Sequence, residues 1–320
     1  MVEALFRYLA RALATVLGIS VLVFLIFFAT PGSDPAARLA GRGASPDLIA
    51  QIRTEYGLDR PMPVQYATLM RRIFITRDLP SFVNRGQLVV PTILRAAPVT
   101  LALALGAAIV WVAAGLAIAL LATARGQGRD PGIGHLIVAA GLLGVSIPAF
   151  WLGEMVMLLA QGPLRTTLFA WVPPPGSPAR TPAEWLATMA LPCLTLAILY
   201  AGIYGRILRT SLADALAQDY IRTARAKGLT ETRITLRHAL PNAAAPAIAL
   251  LGLDVGALIG GGTVLVEVVF GLHGIGRLTY DALHSLDLAM VMACVLYSSI
   301  FVVVLNAMAD MLQSLLDPSR

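Results

Sequence analysis

Six runs of apolar residues, each near the roughly 20 residues that an α-helix needs to cross a hydrocarbon core, alternate with polar segments along this chain. They cover about Leu9 to Thr30, Ala97 to Thr123, His135 to Ala160, Ala187 to Leu208, Ala244 to Val266 and Leu288 to Leu312. Pro192, Gly202, Tyr204 and Gly205 interrupt the fourth run, and such residues are tolerated in a span where neighbouring helices satisfy the backbone. The pattern predicts an all-α, polytopic membrane protein with six transmembrane helices. Its organisation is a single transmembrane domain over 1–320, with a long external loop at 31–95 and a polar loop at 206–243 between helices four and five. Neither an internal repeat nor a separate soluble domain is visible. Arg7 and Arg11 lie at the front of the first run, which is long and ends in Thr30-Pro31-Gly32 without a small-residue cleavage site, so it is expected to stay as an anchor helix.

Composition agrees, since 58% of the 320 residues are hydrophobic and only 13% charged, far from a soluble domain. A net charge of +6 raises the question of nucleic acid, but the basic residues are spread through loops between apolar runs, so no nucleic-acid partner is expected. Their distribution reports orientation instead. One side holds Arg7, Arg11, Arg125, Arg129, Arg206, Arg209, Arg222, Arg225, Lys227, Arg233, Arg237 and Arg320; the opposite short loops hold Arg165, Arg180 and Arg277. The positive-inside rule therefore puts both termini and the 206–243 loop in the cytoplasm; the 31–95 loop is long enough to translocate despite its arginines. Cys193 and Cys294 lie in apolar runs and suggest neither a disulfide framework nor a zinc site.

Catalytic and nucleotide chemistry find no support. Lys227 is the only lysine, and no Gly-x4-Gly-Lys-Ser/Thr loop surrounds it. Gly260-Gly261-Gly262 has no basic residue after it and reads as a site of close helix packing. His135, His238, His273 and His284 show no i, i+4 pairing, and Ser146 lacks the glycine frame of a nucleophile elbow. No catalytic residue, cofactor or metal is expected on this chain.

The segment Asp219 to Pro241 is the exception to an otherwise apolar design. From Ser211 to Lys227, Leu212, Leu216, Tyr220 and Ala224 recur every four residues while Asp214, Asp219, Arg222 and Arg225 take other faces, which predicts one amphipathic helix. Gly228 suits the left-handed position that ends a helix, Thr230 suits the N-cap of a second helix through Ala239, and Leu240-Pro241 would stop it. On these features a helix lying on anionic membrane lipid and a docking surface for a soluble protein both stand.

The same segment resembles the EAA loop of ATP-binding-cassette importer permeases. In that frame a glycine follows the first motif position by six residues and Leu-Pro begins twelve residues later, as Arg222-Thr223-Ala224, Gly228 and Leu240-Pro241 do here. The run Asp219 to Leu229, with Arg225-Ala226-Lys227, and Arg237-His238-Ala239-Leu240 resemble the dipeptide, oligopeptide and nickel branch. So do Phe27 to Pro35, Tyr56-Gly57-Leu58-Asp59-Arg60-Pro61-Met62-Pro63-Val64-Gln65-Tyr66, Ser146 to Phe150, Glu267 to Phe270 and Gly274-Ile275-Gly276-Arg277. His273 replaces a usual proline, and a Gly-Asp-Leu-Gly pattern is reduced to Arg77-Asp78-Leu79-Pro80.

The resemblance implies a type I importer fold in the bacterial inner membrane, paired with a second permease, two cytoplasmic ATPases that bind ATP and Mg, and an extracytoplasmic substrate-binding protein. It implies a peptide substrate, with glutathione or a nickel complex as alternatives, and makes Asp219 to Gly228 with Leu240-Pro241 the coupling helix region; Arg222, Arg225 and Lys227 would meet acidic ATPase residues. A self-sufficient secondary transporter or channel is the competing class, for which inverted repeats or several intramembrane ionisable groups would be needed. Candidates for the translocation path are Asp254, near mid-span, with Ser146, Pro148 and Glu267; Glu154 lies nearer a span end. An acid at mid-bilayer costs about 2.5 to 3.5 kcal/mol on insertion scales, so Asp254 either faces the path or is a hydrogen-bonded structural acid. Glu267 and Asp287 flank a turn that would line the external mouth or form a plain interface loop.

Overall fold

The computed structural model describes residues 2–29, 34–41, 43–81, 83–84, 86–126, 146–162 and 164–316. Among them five helices are long and apolar enough to cross a membrane. These are α1 (Val2–Phe28), α5 (Val89–Gly126), α7 (Pro182–Leu216), α11 (Ala245–Ala257) with its π-helical continuation Leu258–Gly262, and α14 (Leu288–Leu316). The third predicted run is represented by the shorter apolar helix α6 (Ala149–Gln161); its first part, with His135, lies outside the described residues, as do Pro31 to Ser33.

The helices outrun their apolar stretches. At 1.5 Å per residue the 38-residue α5 is about 57 Å long, nearly twice a hydrocarbon core of about 30 Å. It begins at Val89 rather than Ala97, and α7 runs from Pro182 to Leu216 rather than from Ala187 to Leu208. Hydropathy marks only the membrane slab, whereas helical hydrogen bonding continues until a cap ends it. The α7 cap is Thr181, whose Oγ1 accepts from Glu184 N at 3.2 Å, while the Glu184 carboxylate reaches back to Arg180 N at 2.7 Å.

The described chain forms two compact units, the first comprising Met1–Leu101, Gly256–Val268 and Leu272–Ala307. Its predicted external loop is itself helical, with α2 (Pro35–Ala40), α3 (Pro46–Glu55) and α4 (Met62–Met70) running on as a π turn, Arg71–Thr76. Asp34 caps α2 through Ala36 N and Ser45 caps α3 through Leu48 N. These helices bury Leu39, Ile52, Tyr56, Leu69 and Ile73 in a core shared with Val89, Val90 and Ile93 of α5 and Met290 to Cys294 of α14. The Tyr56 to Tyr66 run is the turn of this assembly. Gly57 takes φ 59°, Gln65 donates to the carbonyls of Leu58 and Arg60, and the Arg72 guanidinium lies 4.3 Å above the buried Tyr56 ring.

The second unit comprises Ala102–Val255, Val269–Gly271 and Met308–Arg320. Small residues let α5 and α7 approach closely in it. A methyl group on Gly115 would stand 2.7 Å from Tyr204 Cβ, one on Gly205 2.7 Å from Ile118 Cγ2, and one on Gly106 2.9 Å from Cys193 Sγ. In the first unit, the glycine run at 260–262 acts differently from the expected packing site. Gly261 adopts φ 149°, a backbone that L side chains avoid, so the run breaks α11 into a π turn, and a methyl on Gly260 would meet Val302 only at an ordinary 3.6 Å.

Gly115→Leu is expected to lose about 1 to 3 kcal/mol of stability by overpacking against Tyr204, measured as a lower midpoint of unfolding in detergent. Gly260→Ala should leave that midpoint nearly unchanged.

Candidate functional site

The polar segment between α7 and α11 is a small folded module. After Leu216 the chain breaks at Ala217 and Gln218, whose extended backbone (φ −72°, ψ 154°) starts α8 (Asp219–Ala226). Gly228, at φ 76°, turns the chain with its N–H on Arg225 O at 2.9 Å. Then follow α9 (Glu231–Ile234), a π turn at Thr235–Ala239 and α10 (Leu240–Ala243). Two expectations are thereby corrected. The helix from Ser211 to Lys227 is two helices, and the break resets the apolar phase, so Ile221 and Ala224 are buried with Leu212 and Ala215 while Tyr220 is exposed. Leu240-Pro241 does not stop the helix. Pro241 sits in the first turn of α10, where an N–H is dispensable, and the preceding π turn absorbs the change.

This module has its own apolar floor of Leu212, Ala215, Ile221, Ala224, Ile234, Ala239 and Ala243. Its opposite face carries Asp219, Tyr220, Arg222, Thr223, Arg225, Ala226, Lys227 and Gly228, all exposed. Arg225 makes a bidentate contact with Glu231 at 2.7 and 3.1 Å across the Gly228 turn, and this hydrogen bonding holds the Glu231 carboxyl below its ordinary range. Asn242 Nδ2 donates to Tyr220 Oη at 3.1 Å, linking the end of the module to its first helix. Arg222 sits 3.4 Å from Asp219, and with these side chains 79% and 94% exposed the pair contributes little to stability. Thr230 has the extended backbone of an N-cap without a side-chain cap bond.

The translocation-path candidates divide sharply. Glu267, on α12 (Val264–Val269) of the first unit, is fully buried. Its Oε1 accepts from Thr100 Oγ1 at 2.7 Å and Thr263 Oγ1 at 3.0 Å, and its Oε2 from Arg277 N at 2.9 Å; Thr100 Oγ1 in turn accepts from Ile275 N at 2.8 Å. The carboxylate thus pins the start of α13 (Ile275–Ser285). A methyl on Gly274 or Gly276 would fall within 2.4 or 2.9 Å of Glu267 Oε2, which is why the Gly-Ile-Gly-Arg run needs both glycines. His273 is exposed beside this knot, so the departure from proline there disturbs nothing buried. Asp287 is also buried, accepting from Met290 N at the start of α14 and from Ser81 Oγ. Both acids organise the turn, and Asp287 also lines an open hollow with Asn84, Gln87, Leu278 and Asp281.

Asp254, in the second unit, is half-buried on α11, and its Oδ2 accepts from Tyr204 Oη at 2.8 Å. Tyr204 and Tyr200, one turn apart on α7, pack on Trp111 with ring centroids 5.9 and 4.6 Å away. The sequence marks Tyr204 only as an interruption of its span and does not link it, Tyr200 or Trp111 to Asp254, although two tyrosines at i, i+4 in an apolar span are a visible sign of a polar partner. Ser146 and Pro148 are exposed at the entry to α6, where Pro148 takes the N-cap position; Glu154, farther along α6, is exposed too.

Known proteins align with this chain along its length. Residues 133–320 match the model of a family described as binding-protein-dependent transport system inner membrane component, and residues 1–104 match the N-terminal model for such membrane components. The chain is 34% identical over 320 residues to a Brucella abortus (strain 2308) protein named as a peptide transport system permease, covering 99% of this chain and 98% of that one. It is 35% identical to an Escherichia coli K12 protein named as a D,D-dipeptide transport system permease (95% and 93% covered), and 34% identical to a glutathione transport system permease of Pectobacterium atrosepticum (100% and 99%).

Substituting Thr100→Val keeps the shape but removes a hydroxyl that both donates to Glu267 and receives Ile275 N–H. A loss of about 1 to 3 kcal/mol is expected from these unmet buried groups, checked by thermal unfolding of the purified protein.

Proposed function

Because this chain belongs to the family of binding-protein-dependent transport system inner membrane components, we propose that it forms half of the translocation pathway of an ATP-driven importer for peptides. The observation that carries the coupling part of this reading is the module at 206–243: a rigid helical knob with a buried apolar floor and an exposed basic and polar face. Such a knob suits a socket on a separate protein. A lipid-lying helix would bury its apolar face in the bilayer, whereas here Ile221, Ala224 and Ile234 are already covered by the chain itself.

In this reading both termini and the module lie in the cytoplasm, by the loop charges. Two partner ATPases bind ATP and Mg, a related second permease completes the pathway, and an extracytoplasmic binding protein delivers the substrate. Asp219 to Gly228 sits in a groove of one ATPase, with Arg222 and Lys227 set toward acidic side chains. Closure of the ATPases moves the knob, and because α8 packs on the end of α7 through Leu212 and Ala215, the displacement passes into a span as a rigid body. The chain itself carries transport and no catalysis. Peptide cargo is supported by relatives named for peptide, D,D-dipeptide and glutathione transport, glutathione being itself a tripeptide.

Gly228→Pro should reduce ATP-dependent peptide uptake in reconstituted vesicles to below a tenth, because proline cannot adopt φ 76° and lacks the N–H bonded to Arg225; peptide capture by the binding protein should persist. Uptake by this chain alone without ATP would overturn the reading. Thr223→Cys, in a background where the native Cys193 and Cys294 are buried, should react with an impermeant maleimide only after the membrane is opened.

A further inference from the structure

Among the acids in or beside the apolar helices, Glu267 and Asp254 are treated very differently. Glu267 is fully buried, with three donors on its two oxygens. Asp254 is half-buried and receives one hydrogen bond, from Tyr204 to Oδ2; among the described residues no hydrogen bond or ion pair reaches its Oδ1. A structural acid would be expected to look like Glu267. Asp254 instead keeps an available carboxylate oxygen about 14 Å along a span, in a place where an uncompensated charge is costly.

The surroundings of Asp254 specify what would complete it. Tyr204 is fixed from behind by Trp111 and by the close approach of α5 at Gly115, so its hydroxyl is held in place as a donor. Tyr200, one turn before Tyr204 on the same helix, is stacked on Trp111 at 4.6 Å through one ring face and is only partly buried. A fixed carboxylate beside an aromatic ring is a recognition pair for a compact organic cation: the carboxylate supplies charge and a hydrogen-bond acceptor, the ring face supplies its quadrupole. One carboxylate and two phenols make a poor divalent-metal site, and no group of three His, Cys, Asp or Glu side chains occurs among the described residues.

We infer that Asp254, positioned by Tyr204 and flanked by Tyr200, is a transient subsite for the primary ammonium group of the substrate as it crosses the membrane. The inference rests on the importer reading above. A single charge-assisted contact with one aromatic face is weak enough to release its cargo, which a translocation path requires and a storage site does not. Its effect is selectivity for substrates with a free amino group, exerted after the binding protein has made its own choice.

The test uses the complete complex in proteoliposomes with saturating binding protein, ATP, and two radiolabelled probes, dialanine and N-acetyldialanine, whose affinities for the isolated binding protein are measured separately. After correction for those affinities, the wild-type complex should import dialanine at least five-fold faster than its acetylated form. Asp254→Asn should bring that ratio near one while ATP hydrolysis stimulated by loaded binding protein stays within two-fold of wild type, and Tyr204→Phe should lower the ratio part of the way. A ratio retained in Asp254→Asn, or an equal loss of both probes with the ratio unchanged, overturns the subsite and leaves the importer intact. Import of neither probe by the wild-type complex overturns the extension of the peptide reading to dipeptides, and the subsite with it.

Discussion

Hydrocarbon offers no hydrogen-bond partners, so every polar group carried into a span must find one within the protein or stand ready for one from outside. Helical backbones meet this demand by themselves, and side chains must be provided for individually. Glu267 is provided for completely, by two threonine hydroxyls and a backbone N–H, and the turn into α13 is shaped around it. Among the described residues Asp254 is provided for by a single phenol. The same requirement shapes the glycines: Gly274 and Gly276 leave room for the Glu267 carboxylate, while Gly115 brings α5 close enough to hold Tyr204.

Beyond the spans the constraint relaxes and ordinary protein packing takes over. The segment before α5 builds an apolar core around Ile52, Tyr56 and Ile73, and its helices use the usual Asp, Ser and Pro starts. The module at 206–243 does the same on a smaller scale, burying Ile221, Ala224 and Ile234 and leaving Arg222 and Lys227 outward. A rigid element with a finished interior and an unfinished polar exterior is suited to transmitting force between proteins. A floppy basic loop would dissipate the displacement it receives.

The two kinds of acid also suggest a division of labour consistent with the proposed import role. Saturated carboxylates such as Glu267 and Asp287 hold turns at fixed geometry, and their chemistry is spent on the fold. A half-saturated one retains chemistry for a passing ligand. Membrane transport needs both, since a path that moves as rigid bodies must have stiff corners and weak, reversible contacts between them.

By itself the sequence determined the membrane class, five of the long helices, the position of the polar module and the left-handed turn at Gly228, because apolar length, helical period and glycine conformation are properties of neighbouring residues. It also carried the family, through the spacing of Arg222, Gly228 and Leu240-Pro241. Only the tertiary structure decided where α5 and α7 end, that the helix after Ser211 breaks at Gln218, and that Tyr220 faces outward. It alone showed two threonines and a backbone N–H on Glu267 and, among the described residues, one tyrosine on Asp254. The reason is distance along the chain: Thr100 meets Glu267 across 167 positions, Ser81 meets Asp287 across 206, and Tyr204 meets Asp254 across 50. No local pattern encodes which hydroxyl will satisfy which carboxylate; that follows only when the helices pack.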